Sequence, residues 1–180
     1  VEIVDEFSHT MLVNKYKKLE ENFEPYDLSD IPEEYASSEL QASKMAIDAF
    51  IEMYNAAKRE DLELVINSAY RSYQTQVELC DEYRDLYGQS YVDRYVAYPG
   101  HSEHQTGLAF DIGSTSSNVF ANSKEYQWML DNCYKYGFIL RFEMHSSYKT
   151  GTCLKSILFH TFCQFAGIHQ FSCVRVKLLI

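Results

Sequence analysis

One carboxylate set inside an apolar run constrains the folding of this chain more than any other feature. Asp111 lies in Leu108-Ala109-Phe110-Asp111-Ile112, a segment that reads as a strand. An unpaired carboxylate buried there costs several kcal/mol or shifts its pKa, so the fold has to bring a cation to it. His104 stands seven residues earlier, beyond Gly107, a residue type that permits a tight bend into the strand. That spacing lets an imidazole and a carboxylate converge at the strand's edge. Such a pair suits zinc, which holds these ligands at about 2.0–2.2 Å. The plainer alternative is that Asp111 caps a neighbouring backbone group and His104 is a surface histidine.

A chain of 180 residues, 46% of them apolar, is one domain's worth and can bury a single core. The net charge of −10 weighs against a nucleic-acid partner, which would need a basic face. No run of eighteen apolar residues occurs, so no transmembrane segment is expected. The chain starts at Val1 without a basic-then-apolar leader, which leaves open a removed signal or anchor and a cytoplasmic protein. Aromatic residues reach 15%, with tyrosine the commonest, which suits a cleft or a carbohydrate-rich setting. The five cysteines form no C-x-x-C pair. Their odd number excludes a fully paired framework, and Cys80 and Cys133 read as small apolar helix residues.

The expected fold class is α+β, with strands and helices mixed but no regular βαβ rhythm. Residues 1–36 are polar and irregular, an N-terminal extension. Ser37 or Ser38 is positioned to cap a helix running to about Arg59, with Ala46, Phe50, Met53, Tyr54 and Ala57 as its buried stripe. Leu64 to Tyr70 reads as a strand. A second helix is expected from about Thr75 to Tyr87, with Leu79, Tyr83, Leu86 and Tyr87 on one side and Gly88 as its stop. Ser90, followed by Asp93, resembles the N-cap of a short helix to Val96. Ser123 caps a helix to about Tyr136, Gly137 ends it, and Phe138 to Phe142 form a third strand.

Two further features bear on chemistry. Arg71 follows a strand end, where binding groups are usually displayed. It can grip a substrate's terminal carboxylate bidentately or form an ordinary surface salt bridge. After Phe142 the character of the chain changes. Residues 143–180 hold one acid, Glu143, against four bases, whereas the first 142 residues hold 25 acids and 12 bases. Three of the five cysteines also lie in this tail. An altered reading frame or a recombination scar joined to an intact front would give such a break.

Several blocks taken together resemble the VanY family of D-alanyl-D-alanine carboxypeptidases, zinc metallopeptidases that trim bacterial peptidoglycan stems. They are Leu12-Val13-Asn14-Lys15 with Pro25-Tyr26-Asp27-Leu28; Ser68-Ala69-Tyr70-Arg71-Ser72-Tyr73 with Gln76; the run from Pro99 to Ile112; and Trp128, Asn132 and Tyr136 to Phe142. The resemblance implies a mostly antiparallel central sheet flanked by helices, as in the hedgehog-like zinc architecture, with a peptidase core over 37–142 and a divergent tail over 143–180. It implies zinc as cofactor, with His104 and Asp111 as its first two ligands. Arg71, with Gln76 and Ser102 nearby, would contact the substrate's terminal carboxylate or the developing oxyanion. The partner would be a peptidoglycan stem peptide ending in D-Ala, and the location extracytoplasmic, at a bacterial cell envelope.

In this family a third ligand histidine and a glutamate base come from a Glu-x-x-His element shortly after the third strand. No acid follows Glu143, so that element is missing. Glu143-Met144-His145 is too short, and His160 falls near the expected ligand distance with Lys155, Ser156 and Ile157 where the base belongs. Impaired catalysis, or a peptidoglycan-binding or non-functional product, is the corresponding expectation.

Overall fold

A computed structural model describes residues 1–4, 7–8, 11–115 and 120–140, together with the backbone of 155–159. Its centre is a four-stranded sheet of β5 (Val65–Ser68), β6 (Ala109–Gly113), β7 (Phe138–Leu140) and β8 (Lys155–Phe159), in the order β5-β6-β8-β7. Every pairing in it is antiparallel. Four helices accompany the sheet among the described residues: α1 (Lys44–Lys58), α2 (Tyr73–Tyr87), α3 (Gln89–Tyr95) and α4 (Lys124–Asn132). The α+β expectation with a mainly antiparallel central sheet therefore holds. No helix among the described residues is long and apolar enough to cross a membrane.

All five residues of β6 are buried. Phe110 packs edge-on against Phe50 of α1, ring centroids 5.8 Å apart, and lies equally close to Phe138 of β7. The α1 stripe is formed by Ala46, Ile47, Phe50, Met53, Ala56 and Ala57, with Tyr54 only partly buried. Trp128 of α4 donates its indole N–H to Glu60 at 2.8 Å, tying α4 to the end of α1. Cys80 and Cys133 are buried free thiols, as expected of small apolar residues.

Several boundaries differ from the sequence reading. Helix α1 starts at Lys44 rather than near Ser38, because the preceding residues are taken up by sheet pairing. Ser37 donates its N–H to Ile66, and β4 (Gln41–Ser43) pairs antiparallel with β3 (Leu28–Asp30). Ser43 stands at the N-cap position but turns its hydroxyl to Asp27, at 2.6 Å. Strand β5 stops at Ser68, since the Tyr70 and Arg71 amides leave the sheet for the carbonyls of Gln41 and His104. Helix α2 begins at Tyr73, its amide ends capped by Ser72 Oγ accepting from Thr75 N at 3.1 Å. Helix α3 begins at Gln89, so Ser90 lies inside it rather than capping it. Strand β6 runs one residue later than expected. Helix α4 has its Ser123 cap, but its last turn, Cys133–Tyr136, tightens to a 3-10 helix before Gly137. Positions 141 and 142 of the expected third strand lie outside the described residues.

Before residue 37, where irregular chain was expected, the described residues include regular structure. Strands β1 (Glu2–Val4) and β2 (Lys17–Leu19) pair in parallel, and Met11, Val13, Leu19, Ile31 and Tyr35 join the common core. Alternating apolar positions too short to read as elements still find a face to bury against. Strand β8 was not foreseen either. Its Ser-Ile-Leu-Phe run has strong strand propensity, and the facing ladders of β6 and β7 offer it unpaired amides on both sides.

Candidate active site

The segment from Gly100 to Gly107 is held in one conformation from several directions. Gly100 has φ +82, and a Cβ added there would lie 2.7 Å from the Leu19 carbonyl, so the close approach of β2 excludes any side chain. A 3-10 turn over Glu103–Thr106 follows, its start capped by Ser102 Oγ, which accepts from His104 N at 3.3 Å. Gly107 ends the turn in the left-handed region, φ +69, and delivers the chain into β6. Gln105 is fully buried and donates to the carbonyls of Glu20 and Phe23, fixing the turn to the N-terminal segment.

This framework brings His104 and Asp111 together. The His104 Nε2 and Asp111 Oδ2 are 3.6 Å apart, and the two residues are only 8% and 7% exposed. His104 Nδ1 donates to the Ala69 carbonyl at 2.7 Å, which directs Nε2 with its lone pair toward Asp111 when the ring is neutral. Burial holds the His104 pKa below the ordinary histidine range, the nearby Arg71 charge adds to this, and Asp111 opposes it. A separation of 3.6 Å is too long for a hydrogen bond. It matches the roughly 3.3–3.6 Å between two donors that share one tetrahedral ion at about 2.0–2.2 Å. The donor set therefore fits two positions of a zinc site. No group of three or more metal-binding side chains occurs among the described residues. His160, the candidate third ligand, lies outside them, as does Glu143.

Arg71 is anchored beside this pair. Its amide donates to the His104 carbonyl at 3.1 Å, and its guanidinium donates to Gln76 Oε1 at 3.0 Å and Ser68 Oγ at 3.4 Å. Gln76 is itself buried and fixed by its Nε2 to the Ala97 carbonyl at 2.7 Å. Partial burial lowers the Arg71 pKa, with Asp111 the leading opposing influence, yet a guanidinium stays charged at any ordinary pH.

Arg71, Gln76, Ser102 and His104 all line one cleft of about 420 Å³. Val13 and Asn14, with Tyr83, Tyr91 and Tyr95 of α2 and α3, also line it. His101 joins the lining and donates Nδ1 to the Asn14 carbonyl at 2.8 Å, closing the N-terminal wall. A second concavity of about 540 Å³ lies elsewhere, lined in part by Glu33, Glu34 and Glu63. It holds no imidazole or guanidinium, so the first cleft is the better candidate for chemistry.

The tyrosine wall is what the sequence reading missed. Leu79, Tyr83, Leu86 and Tyr87 were placed on one side of α2 with no reading of what that side meets; only Gln76 and Cys80 of that helix are buried, and Leu86 and Tyr87 are exposed. The recurrence of tyrosine at every fourth position from Tyr83 to Tyr95 was the available signal.

The sequence model for VanY, D-alanyl-D-alanine carboxypeptidase, matches residues 39–156. YodJ of Bacillus subtilis, which carries the name of a carboxypeptidase, is 44% identical over 141 residues, 73% of this chain and 51% of YodJ. The LD-carboxypeptidase LdcB, solved in a study of peptidoglycan recognition, superposes with a TM-score of 0.71 at 39% identity, covering 82% of this chain and 74% of its own. A vancomycin-resistance D,D-pentapeptidase VanY variant in complex with Zn(II) gives a TM-score of 0.63 at 25% identity, covering 86% and 88%. The chain spans about half or less of the length of the first curated relatives it matches, 51%, 40% and 41%.

Proposed function

Because this chain belongs to the VanY family of D-alanyl-D-alanine carboxypeptidases, we propose that its cleft is built to remove the terminal D-Ala from peptidoglycan stem peptides, at a bacterial cell envelope, with zinc held by His104 and Asp111. The observation that carries this reading is the 3.6 Å approach of the buried Asp111 carboxylate to His104, which lines one cleft with Arg71. A Zn(II) complex of a VanY relative supports the choice of metal. When bound, zinc would polarise the scissile carbonyl and lower the pKa of a bound water.

The chain's own groups have separable tasks. Arg71 grips the substrate's terminal carboxylate, with Gln76 and Ser68 holding the guanidinium in one plane and leaving donors over for a bidentate contact. That sets the last peptide bond at a fixed distance from His104. The Ala69 carbonyl fixes the His104 tautomer. Ser102, at the turn below, faces the same space and is placed to meet the carboxylate or the oxyanion.

General-base help is the weak point. Strand β8 is the neighbour of β6, with Ser156 in register with Asp111. The Glu-x-x-His element expected of the family does not occur in the chain after Glu143. Loss of a general base is worth about 10²–10⁴-fold, or roughly 3–5 kcal/mol of barrier, so catalysis by this chain is impaired although the peptide still binds. The test is D-Ala release from a stem pentapeptide with added zinc, comparing this chain with one whose tail carries a Glu-Pro-Trp-His element at the family spacing. Rates within about threefold of each other would end the missing-base argument.

The likeness to LdcB supports a second reading, cleavage of an L,D bond in a tetrapeptide stem. Running the same assay on tetrapeptide and pentapeptide separates the two.

A further inference from the structure

Between the cleft and solvent, α2 and α3 present a continuous stack of phenol rings. Tyr83, Tyr87, Tyr91 and Tyr95 recur every fourth residue, and the break at Gly88 preserves the stripe rather than ending it. Tyr83 and Tyr91 lie parallel, 7° apart in plane with centroids at 5.8 Å. Tyr87 and Tyr95 approach Tyr91 from either side at 4.7 and 4.8 Å. Packing of this quality normally belongs to a core, yet Tyr87 is 59% and Tyr95 58% exposed. Tyr83 and Tyr91 are half-buried between them, so the stack ends in two rings that leave apolar surface in water, which suits a ligand.

The stack is part of the candidate site, since Tyr83, Tyr91 and Tyr95 line the cleft that holds Arg71 and His104. Its chemistry selects the occupant. The cation–π contacts found among the described residues fall on other tyrosines, Tyr16, Tyr54 and Tyr134. Nucleobases would stack, but they carry phosphates toward a chain of net charge −10. An apolar side chain favours an enclosed pocket over an open ledge. A pyranose has a flat C–H face with a hydroxyl rim, which matches an open row of rings that carry hydroxyls at their edges. Polar partners lie on the same helix, where Asp93 accepts from Gln89 and Tyr98.

We propose that the Tyr83–Tyr87–Tyr91–Tyr95 stack is a saccharide subsite continuous with the cleft, taking the sugar end of a glycan-linked stem peptide while Arg71 takes its carboxylate end. The peptide half of this inference rests on the carboxypeptidase reading; the sugar half does not. Calorimetry on the full chain, using three probes, tests it. These are a free stem pentapeptide, the same peptide on its N-acetylglucosaminyl-N-acetylmuramyl disaccharide, and the disaccharide alone.

The glycopeptide should bind about three- to tenfold tighter than the free peptide, the range that one or two ring stackings supply. Tyr87→Ala, at an exposed ring outside the cavity lining, should remove that difference while leaving free-peptide affinity within about twofold. Tyr95→Ala is the second variant, and circular dichroism checks that both remain folded. Equal affinity for glycopeptide and free peptide, or equal weakening of both by Tyr87→Ala, overturns the subsite. Binding of the disaccharide that is lost in Tyr87→Ala, with no binding of free pentapeptide, leaves the subsite standing and removes the carboxypeptidase reading.

Discussion

The two walls of the cleft are built on opposite principles. One, His101 to His104, lies between two left-handed glycines and runs on into the buried β6, fixed by turn hydrogen bonds and by core packing under Phe110. The α2–α3 wall is exposed, buries only Gln76, Cys80 and Val92, and is held mainly by ring stacking and surface hydrogen bonds such as Arg84 with Asp81. Two buried side chains that must converge on one point, as His104 and Asp111 do, need close placement, which an over-determined backbone provides. A stacking surface tolerates looser placement because it has area to offer rather than a single point.

The contrast predicts unequal responses to truncation. Phe110→Ala should cost about 3–5 kcal/mol in urea unfolding, the range for deleting a buried aromatic ring. Tyr95→Ala on the opposite wall should cost under about 1 kcal/mol. Similar losses at the two sites would show that the walls do not differ in rigidity.

Arg71→Ala probes where the two walls meet. It should weaken binding of a carboxylate-ended stem peptide by about 2–3 kcal/mol, the range for a hydrogen bond to a charged group, with little change for the same peptide as its C-terminal amide. Isothermal titration of both peptides reads this directly, and equal losses would mean that Arg71 serves structure rather than recognition.

Gly107→Ala sharpens the argument for a strained turn. A side chain in the left-handed region costs about 1–2 kcal/mol, and the new Cβ would lie 3.0 Å from Pro25 Cγ and 3.1 Å from Ser43 N. Thermal unfolding should register the loss. Gly88→Ala, with nothing within 4 Å of its added Cβ, should lose stability through backbone strain alone, because φ 83 and ψ 165 lie in a region open essentially to glycine.

The smallest expected effect is a pH dependence away from both walls. Burial pushes the Cys133 thiol up from 9.0 to about 11. The folded state thus retains the proton more strongly than the unfolded chain. This contribution to stability is fully present below pH 9 and is lost as pH rises through about 11. At pH 10 it amounts to about 1 kcal/mol of lost stability. Cys133→Ala should flatten the unfolding free energy over that window relative to the parent chain, and identical slopes would show that Cys133 titrates normally.

Much of the rigid wall was legible in the linear chain. Asp111 inside an apolar run demands a partner, Gly107 marks a reversal, and His104 lies within reach across it, so local constraints alone narrow the geometry. The stripe on α1 and the caps at Ser72 and Ser123 obey short-range rules as well, although Ser72 was first passed over for a later start. The soft wall was misread because helical spacing reports which residues share a face and not what that face meets. Tyr83, Leu86 and Tyr87 share one side of α2 by spacing, but spacing did not say that Leu86 and Tyr87 would be exposed.

What the sequence determined by itself is the α+β class, a carboxylate inside an apolar run with a histidine in reach of it, an arginine just after a strand end, and the lack of a Glu-x-x-His element after Glu143, since each depends on residue chemistry and close spacing. Tertiary structure alone decided that Met11, Val13, Leu19, Ile31 and Tyr35 join the core, that α1 starts at Lys44, and that residues 155–159 insert between β6 and β7. These outcomes turn on backbone amides and apolar faces finding partners tens of residues away. No local propensity encodes that choice, because the free energy of each pairing exists only once both partners are in place.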